Sequence, residues 1–126
     1  MSQKSLKPTE SELNILNVLW NKTHATVREV HEIINLTKES GYTTTLKLMQ
    51  IMHDKGLVTR DDSAKTHIYF PNVSREKTQN QLVGNMIANL FSGSAAQLVM
   101  QTLGNHNATN EELIEIQNII NQLKKN

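Results

Sequence analysis

The sequence predicts a mainly α chain with a small β-hairpin, organised as a winged helix-turn-helix followed by a C-terminal helical dimerisation region. Three observations predict it. A Thr-x-x-Glu box opens three separate segments, at Thr9–Glu12, Thr26–Glu29 and Thr109–Glu112. After Gly56 the apolar period falls from that of a helix to that of a strand, in two short runs. Beyond Ser74 the helical spacing returns and no further strand pattern follows.

In such a box the threonine oxygen accepts the amide proton three residues on, and the glutamate reaches back to the threonine amide. The first box predicts a helix carrying Leu13, Leu16, Leu19 and Trp20 on one side. The second predicts a helix carrying Val27, Val30, Ile33 and Ile34. A third helix runs from Tyr42 and Thr43 to Gly56, where a glycine takes the left-handed cap conformation. Its inner face is Thr45, Leu48, Met49 and Met52. At ~100° per residue, Thr43, Lys47 and Gln50 point the opposite way, with Thr44 and Ile51 on one flank and Leu46 on the other.

Leu57–Arg60 and Thr66–Phe70 read as two short strands joined by the polar turn 61–65, with Pro71 and Asn72 stopping the second. Residues 74–126 then predict two amphipathic helices. The first carries Val83, Met86, Ile87, Leu90 and Phe91, is weakened at Ser92-Gly93-Ser94, and resumes with Ala95, Leu98, Val99 and Leu103. The last carries Leu113, Ile116, Ile119, Ile120 and Leu123. Two such stripes without a sheet cannot bury themselves, so they call for a partner. The expected division is 5–73 for a winged-helix domain and 74–126 for a dimerisation region, with Val83, Met86, Ile87, Leu90, Phe91, Leu98, Ile116 and Ile120 as the pairing residues.

Composition narrows the chemistry. With no cysteine, disulfides, thiolate metal sites and cysteine nucleophiles are excluded. The histidines form no His-Glu-x-x-His pair; His24 and His31 stand seven apart, and His53 and His67 fall in different elements, so no metal is expected. The Met49 and Met52 pair reads as core filler. No Gly-rich phosphate loop, nucleophile motif or catalytic carboxylate pair appears, so the expectation is a non-enzyme without a cofactor. No run reaches the ~20 apolar residues of a membrane span, and the polar start shows no signal peptide. The expected location is cytoplasmic.

Three helices followed by a hairpin is the order of a winged helix-turn-helix, whose second motif helix enters a major groove about 12 Å wide. That helix here offers Thr43, Thr44, Lys47 and Gln50, residue types that meet thymine methyls, guanine and adenine. The hairpin adds Arg60, Lys65 and His67, suited to backbone phosphates or bases. Overall charge gives no support: the net charge is +1, and residues 1–73 hold nine Lys/Arg against eight Asp/Glu. The same residues have plainer uses, as helix caps and solvated surface.

Leu6-Lys7-Pro8-Thr9-Glu10-Ser11-Glu12-Leu13 with Val18-Leu19-Trp20 resembles the opening of the penicillinase-repressor family. Tyr42-Thr43-Thr44-Thr45 with Lys55-Gly56-Leu57-Val58, and His67-Ile68-Tyr69 with Pro71, resemble its recognition helix and wing. The resemblance implies a homodimeric repressor on a palindromic operator in double-stranded DNA. It also implies release through proteolysis under a membrane-bound sensor protease. Well-known members carry arginines where this chain has Leu46 and Ile51, so their operator sequence does not transfer. Their scissile Asn-Phe bond falls here at Gln101-Thr102, and the cysteines of the copper-responsive members are absent. Two other readings stay open: a small-molecule-responsive winged-helix regulator and a winged-helix protein-interaction module.

Overall fold

The computed structural model describes residues 7–125; Leu6, residue 5 of the expected first domain and residue 126 lie outside them. The element order is α1 (Glu10–Lys22), α2 (Val27–Ile34), α3 (Tyr42–Lys55), β1 (Val58–Asp61), β2 (Ile68–Pro71), α4 (Arg75–Leu90), α5 (Ala95–Asn105) and α6 (Asn110–Lys125). The chain divides between Leu82 and Val83 into two compact units.

All three boxes close. Thr9 N donates to Glu12 Oε1 at 2.9 Å and Glu12 N to Thr9 Oγ1 at 3.2 Å. Thr26 and Glu29 do the same at 2.9 and 3.1 Å, and Thr109 and Glu112 at 2.9 and 3.0 Å. Each box satisfies two amides that a helix start leaves without partners. At the end of α3, Gly56 adopts φ 86°, its N–H meets His53 O at 3.1 Å, and Leu57 N meets Met52 O at 2.9 Å. This pair of bonds satisfies the last carbonyls of the helix, and the buried Leu57 and Met52 meet across it. Leu57 therefore closes α3 instead of opening the strand, which begins one residue later than expected.

The hairpin is antiparallel, with Val58 opposite Pro71, Thr59 opposite Phe70, Arg60 opposite Tyr69 and Asp61 opposite Ile68. Asp61 belongs to β1, while Thr66 and His67 fall in the connecting loop, so both strands are shifted towards their C-terminal ends. A third element joins the sheet by one residue: Ala25 N donates to Tyr69 O at 3.1 Å, and Tyr69 N to Ala25 O at 2.8 Å. This bridge ties the lead-in of α2 to the wing.

The core of the first unit lies among α1, α2, α3 and the hairpin. It holds Ile15, Leu16, Leu19, Val30, Met49, Met52, Leu57, Val58 and Tyr69, all fully buried. Trp20 and Leu13 pack at its margin, and Trp20 Nε1 donates to Val73 O at 2.9 Å. Ile33, expected inside, is exposed. At the end of the eight-residue α2, Ile34 packs against the core and Ile33 turns past its edge.

The C-terminal part differs from expectation in helix number. Ser92 (φ 52°) and Gly93 (φ 86°) both take positive φ, and Gly93 N closes back on Ile87 O at 2.9 Å. The chain thus turns fully at Ser92-Gly93-Ser94, and Ser94 caps a new helix by accepting from Gln97 N at 3.1 Å. Residues 74–126 contain three helices where two were expected, because two successive left-handed residues cannot continue an α-helix.

Candidate nucleic-acid interface

The first turn of α2, one flank of α3 and the hairpin enclose a groove of about 470 Å³. Tyr42, Leu46 and Gln50 of α3 form one wall, four residues apart and so on neighbouring turns of one face. Arg60, Lys65, His67 and the edge of Tyr69 form the wing side, and Thr26 and Arg28 close the end at the start of α2. Three cations from three separate elements thus border one space.

Each is positioned differently. The Arg28 guanidinium lies over the Tyr42 ring, 5.2 Å from its centroid, and His31 meets the same ring edge-on at 5.6 Å. His31 Nδ1 also lies 3.2 Å from Oγ1 of the buried Thr45, which anchors the pair to α3. Arg60 stands opposite Tyr69 in the sheet register and 3.5 Å from Asp62 Oδ2. Tyr69 across the ladder, then the nearby Asp62 and Asp54 carboxylates, outweigh desolvation and hold its pKa above the ordinary arginine value. Lys65 sits at the exposed tip of the hairpin.

The seven residues singled out in the sequence divide into two groups. Gln50, Arg60, Lys65 and His67 come together in the groove. Thr43 and Lys47 stay outside its walls, exposed on the adjoining surface of α3, and Thr44 is exposed on the far flank, beside a hollow lined by Ser11, Asn14 and Leu48. Gln50 lies where the two surfaces meet. Sequence reasoning missed Arg28 and Tyr42. One signal for Arg28 was available: it is the second residue of α2, where the helix dipole favours acids and disfavours a cation.

In the second unit, α5 and α6 contain no fully buried residue among those described. Of the eight expected pairing residues, Val83, Met86, Leu90 and Ile120 are exposed, while Ile87, Phe91, Leu98 and Ile116 are half-buried. Met100, Ile114, Ile119 and Leu123 extend the exposed apolar surface. A cleft of about 450 Å³ between α5 and α6 is lined by Leu103, His106, Glu115, Ile116 and Ile119, among others. Gln101 and Thr102 lie inside α5, with Thr102 Oγ1 donating to Leu98 O at 2.7 Å. Among the described residues no three His, Asp or Glu gather as metal ligands, and no helix is long and apolar enough to cross a membrane.

Comparison with known proteins matches residues 8–122 to the penicillinase repressor family. The chain is 22% identical over 125 residues to a penicillinase repressor of Staphylococcus aureus, covering 99% of both chains. It is 23% identical over 122 residues to the methicillin resistance regulatory protein MecI of S. aureus strain N315, covering 97% of this chain and 99% of that one. The solution structure of the DNA binding domain of the repressor BlaI superposes with a TM-score of 0.52 at 19% identity, over 59% of this chain and 90% of that one. This last likeness is one of fold, and it identifies the winged helix.

Proposed function

The chain belongs to the penicillinase repressor family of transcriptional regulators, and from that premise we propose that it represses transcription as a homodimer bound to a palindromic operator. Residues 5–73 hold the DNA and residues 74–126 hold the two chains together. The observation that carries the reading is the groove itself. Arg28, Arg60 and Lys65 converge on it from α2, β1 and the hairpin loop, with Gln50 of α3 in its wall and the exposed Thr43 and Lys47 beside it.

In this reading α3 enters the major groove. Lys47 and Gln50 meet base edges, and the threonine methyls meet thymine. The three cations and His67 border the phosphate backbone, which fixes register without reading sequence. A net charge of +1 is then no obstacle, because Arg28, Arg60 and Lys65 gather at one groove. The unpartnered apolar side chains of the second unit support the dimer, whose symmetry an operator palindrome mirrors. A protein acting on its operator works in the cytoplasm.

Release by a sensor protease enters as a further step in the same proposal. The bond at Gln101-Thr102 lies within a helical segment closed by the Thr102 hydroxyl, so cleavage there requires α5 to open first. The cleft between α5 and α6 favours a second reading, in which a small apolar effector releases the DNA. Thermal-shift screening with candidate effectors, run beside a protease assay, separates the two.

The deciding experiment is selection from a random duplex library at physiological salt, where specificity is interpretable. An enriched palindrome with half-sites about 10 base pairs apart supports the repressor. No enrichment by folded, dimeric protein moves the reading to a protein-interaction module.

A further inference from the structure

Arg60 sits in an unusual position for a surface cation. It leaves β1 facing the groove, its side chain is 24% exposed, and its Nε is buried without a hydrogen-bond partner among the described residues. Two groups from the wing bear on it. Asp62 approaches its terminal nitrogen to 3.5 Å from the loop side. Tyr69 stands directly across the antiparallel ladder, where facing Cβ atoms are about 4.5–5.5 Å apart.

Tyr69 is unlike its neighbours in the hairpin. Its residue is 1% exposed, so its ring is part of the core. Its backbone makes both bonds to Ala25, the last residue before the Thr26 cap of α2. The wing strand, the start of α2 and the Arg60 side chain are therefore all referred to one residue. We propose that Tyr69 is a positioning residue, which holds the Arg60 guanidinium at the groove in the orientation that a DNA phosphate needs. Asp62 occupies the guanidinium until a phosphate displaces it. A guanidinium gives its fork geometry only when its plane is fixed, and a long side chain at the mouth of a loop has no such plane without a partner. The inference rests on the reading of Arg60 as a DNA contact.

The test measures operator affinity across a salt series for the full chain and for Arg60→Ala, Tyr69→Phe and the double variant. Tyr69→Phe keeps the buried ring and removes the hydroxyl. The expected result for Arg60→Ala and Tyr69→Phe is a loss on the order of tenfold, with log K falling less steeply against log salt by about one per protomer. The double variant binds no more weakly than Arg60→Ala. Asp62→Asn binds more tightly than the parent chain. If Arg60→Ala loses affinity while Tyr69→Phe binds like the parent, or weakens it additively at an unchanged salt slope, the positioning role is overturned and the groove reading stands. If Arg60→Ala binds like the parent, both fall. Should Tyr69→Phe fail to fold, Arg60→Lys poses the question from the other side: the charge stays and the fork is lost. Parent-like binding by Arg60→Lys overturns the proposal; a loss on the order of tenfold supports it.

Discussion

Lys55 Nζ donates to both carboxylate oxygens of Glu12, each at 2.9 Å, across 43 residues of chain. Glu12 is 2% exposed and is also the acidic half of the α1 capping box. One carboxylate thus closes the start of α1 and ties it to the last turn of α3. Burial alone pushes the Glu12 carboxyl up. The Lys55 hydrogen bonds, with help from the Thr9 amide, outweigh it and hold the carboxyl below its ordinary value.

A group with a depressed folded pKa stabilises the fold above its unfolded pKa, and that contribution fades as pH falls through the folded value. Stability should therefore hold from neutral pH down to about 4.5, the ordinary carboxyl value, and decline below it. Glu12→Gln keeps an acceptor for the Thr9 amide but loses the charge. It should cost about 2 kcal/mol at pH 7, near the value of a hydrogen bond to a charged group, since half-exposed Lys55 is partly screened. Urea denaturation of both proteins from pH 7 to pH 3 checks this. The gap should narrow with acid, and a constant gap would remove Glu12 from the explanation.

The backbone at Thr23 sets up a second prediction. This residue follows α1 with φ 82° and ψ −42°, and its N–H bonds Leu19 O at 2.7 Å. A β-branched residue at positive φ is strained by roughly 1–3 kcal/mol. Thr23→Gly relieves the strain and gives back part of it in chain entropy, for a net gain of about 1 kcal/mol. Thr23→Ala keeps a Cβ and should gain nothing. Thermal melts of the two variants separate them; equal melting temperatures would refute the strain.

These relationships mark what was legible in the residues and what was not. Capping is local, an exchange between positions three apart, so Thr9, Thr26 and Thr109 disclosed three helix starts directly. The period change at Gly56 disclosed the hairpin, and together these define the winged helix. The Ala25–Tyr69 bridge is one residue long and joins positions far apart in the chain, so no periodicity announces it. The groove is tertiary in the same way: Arg28, Tyr42 and Arg60 meet only once α2, α3 and the wing have packed. Ser92-Gly93-Ser94 was visible as a weak point, but only its two positive φ angles make it a turn.

The two surfaces beside the groove should respond differently to DNA sequence. Lys47→Ala removes a base contact and should cost ~1–3 kcal/mol on the operator, with little change on unrelated duplexes. Thr44→Ala should cost less in the same direction. Arg28→Ala removes a phosphate contact, so it should weaken all sequences alike and lower the salt slope by about one per protomer. Titrations on operator and scrambled DNA at several salt concentrations distinguish the roles. A sequence-dependent loss for Arg28→Ala, or a uniform one for Lys47→Ala, would reverse the assignment.

The second unit supports the final prediction. Leu90 is 71% exposed, Met100 64%, Ile114 61% and Leu123 68%. Fully burying one such side chain is worth ~1.5–3 kcal/mol, so a single chain leaves a large stabilisation unused that a second copy can recover. Phe91 is half-buried within its own chain, and a charge there would disturb the monomer as well as any interface. Leu90→Glu is the cleaner probe, because it places a charge on an already exposed position. Sedimentation equilibrium should show a dimer for the parent chain and a monomer for Leu90→Glu, with the melting of the winged-helix part unchanged. Operator affinity should fall with it, since two linked half-site contacts hold far more tightly than one. A dimeric mass for Leu90→Glu would exclude the α4 stripe from the interface and leave α5 and α6 to carry it.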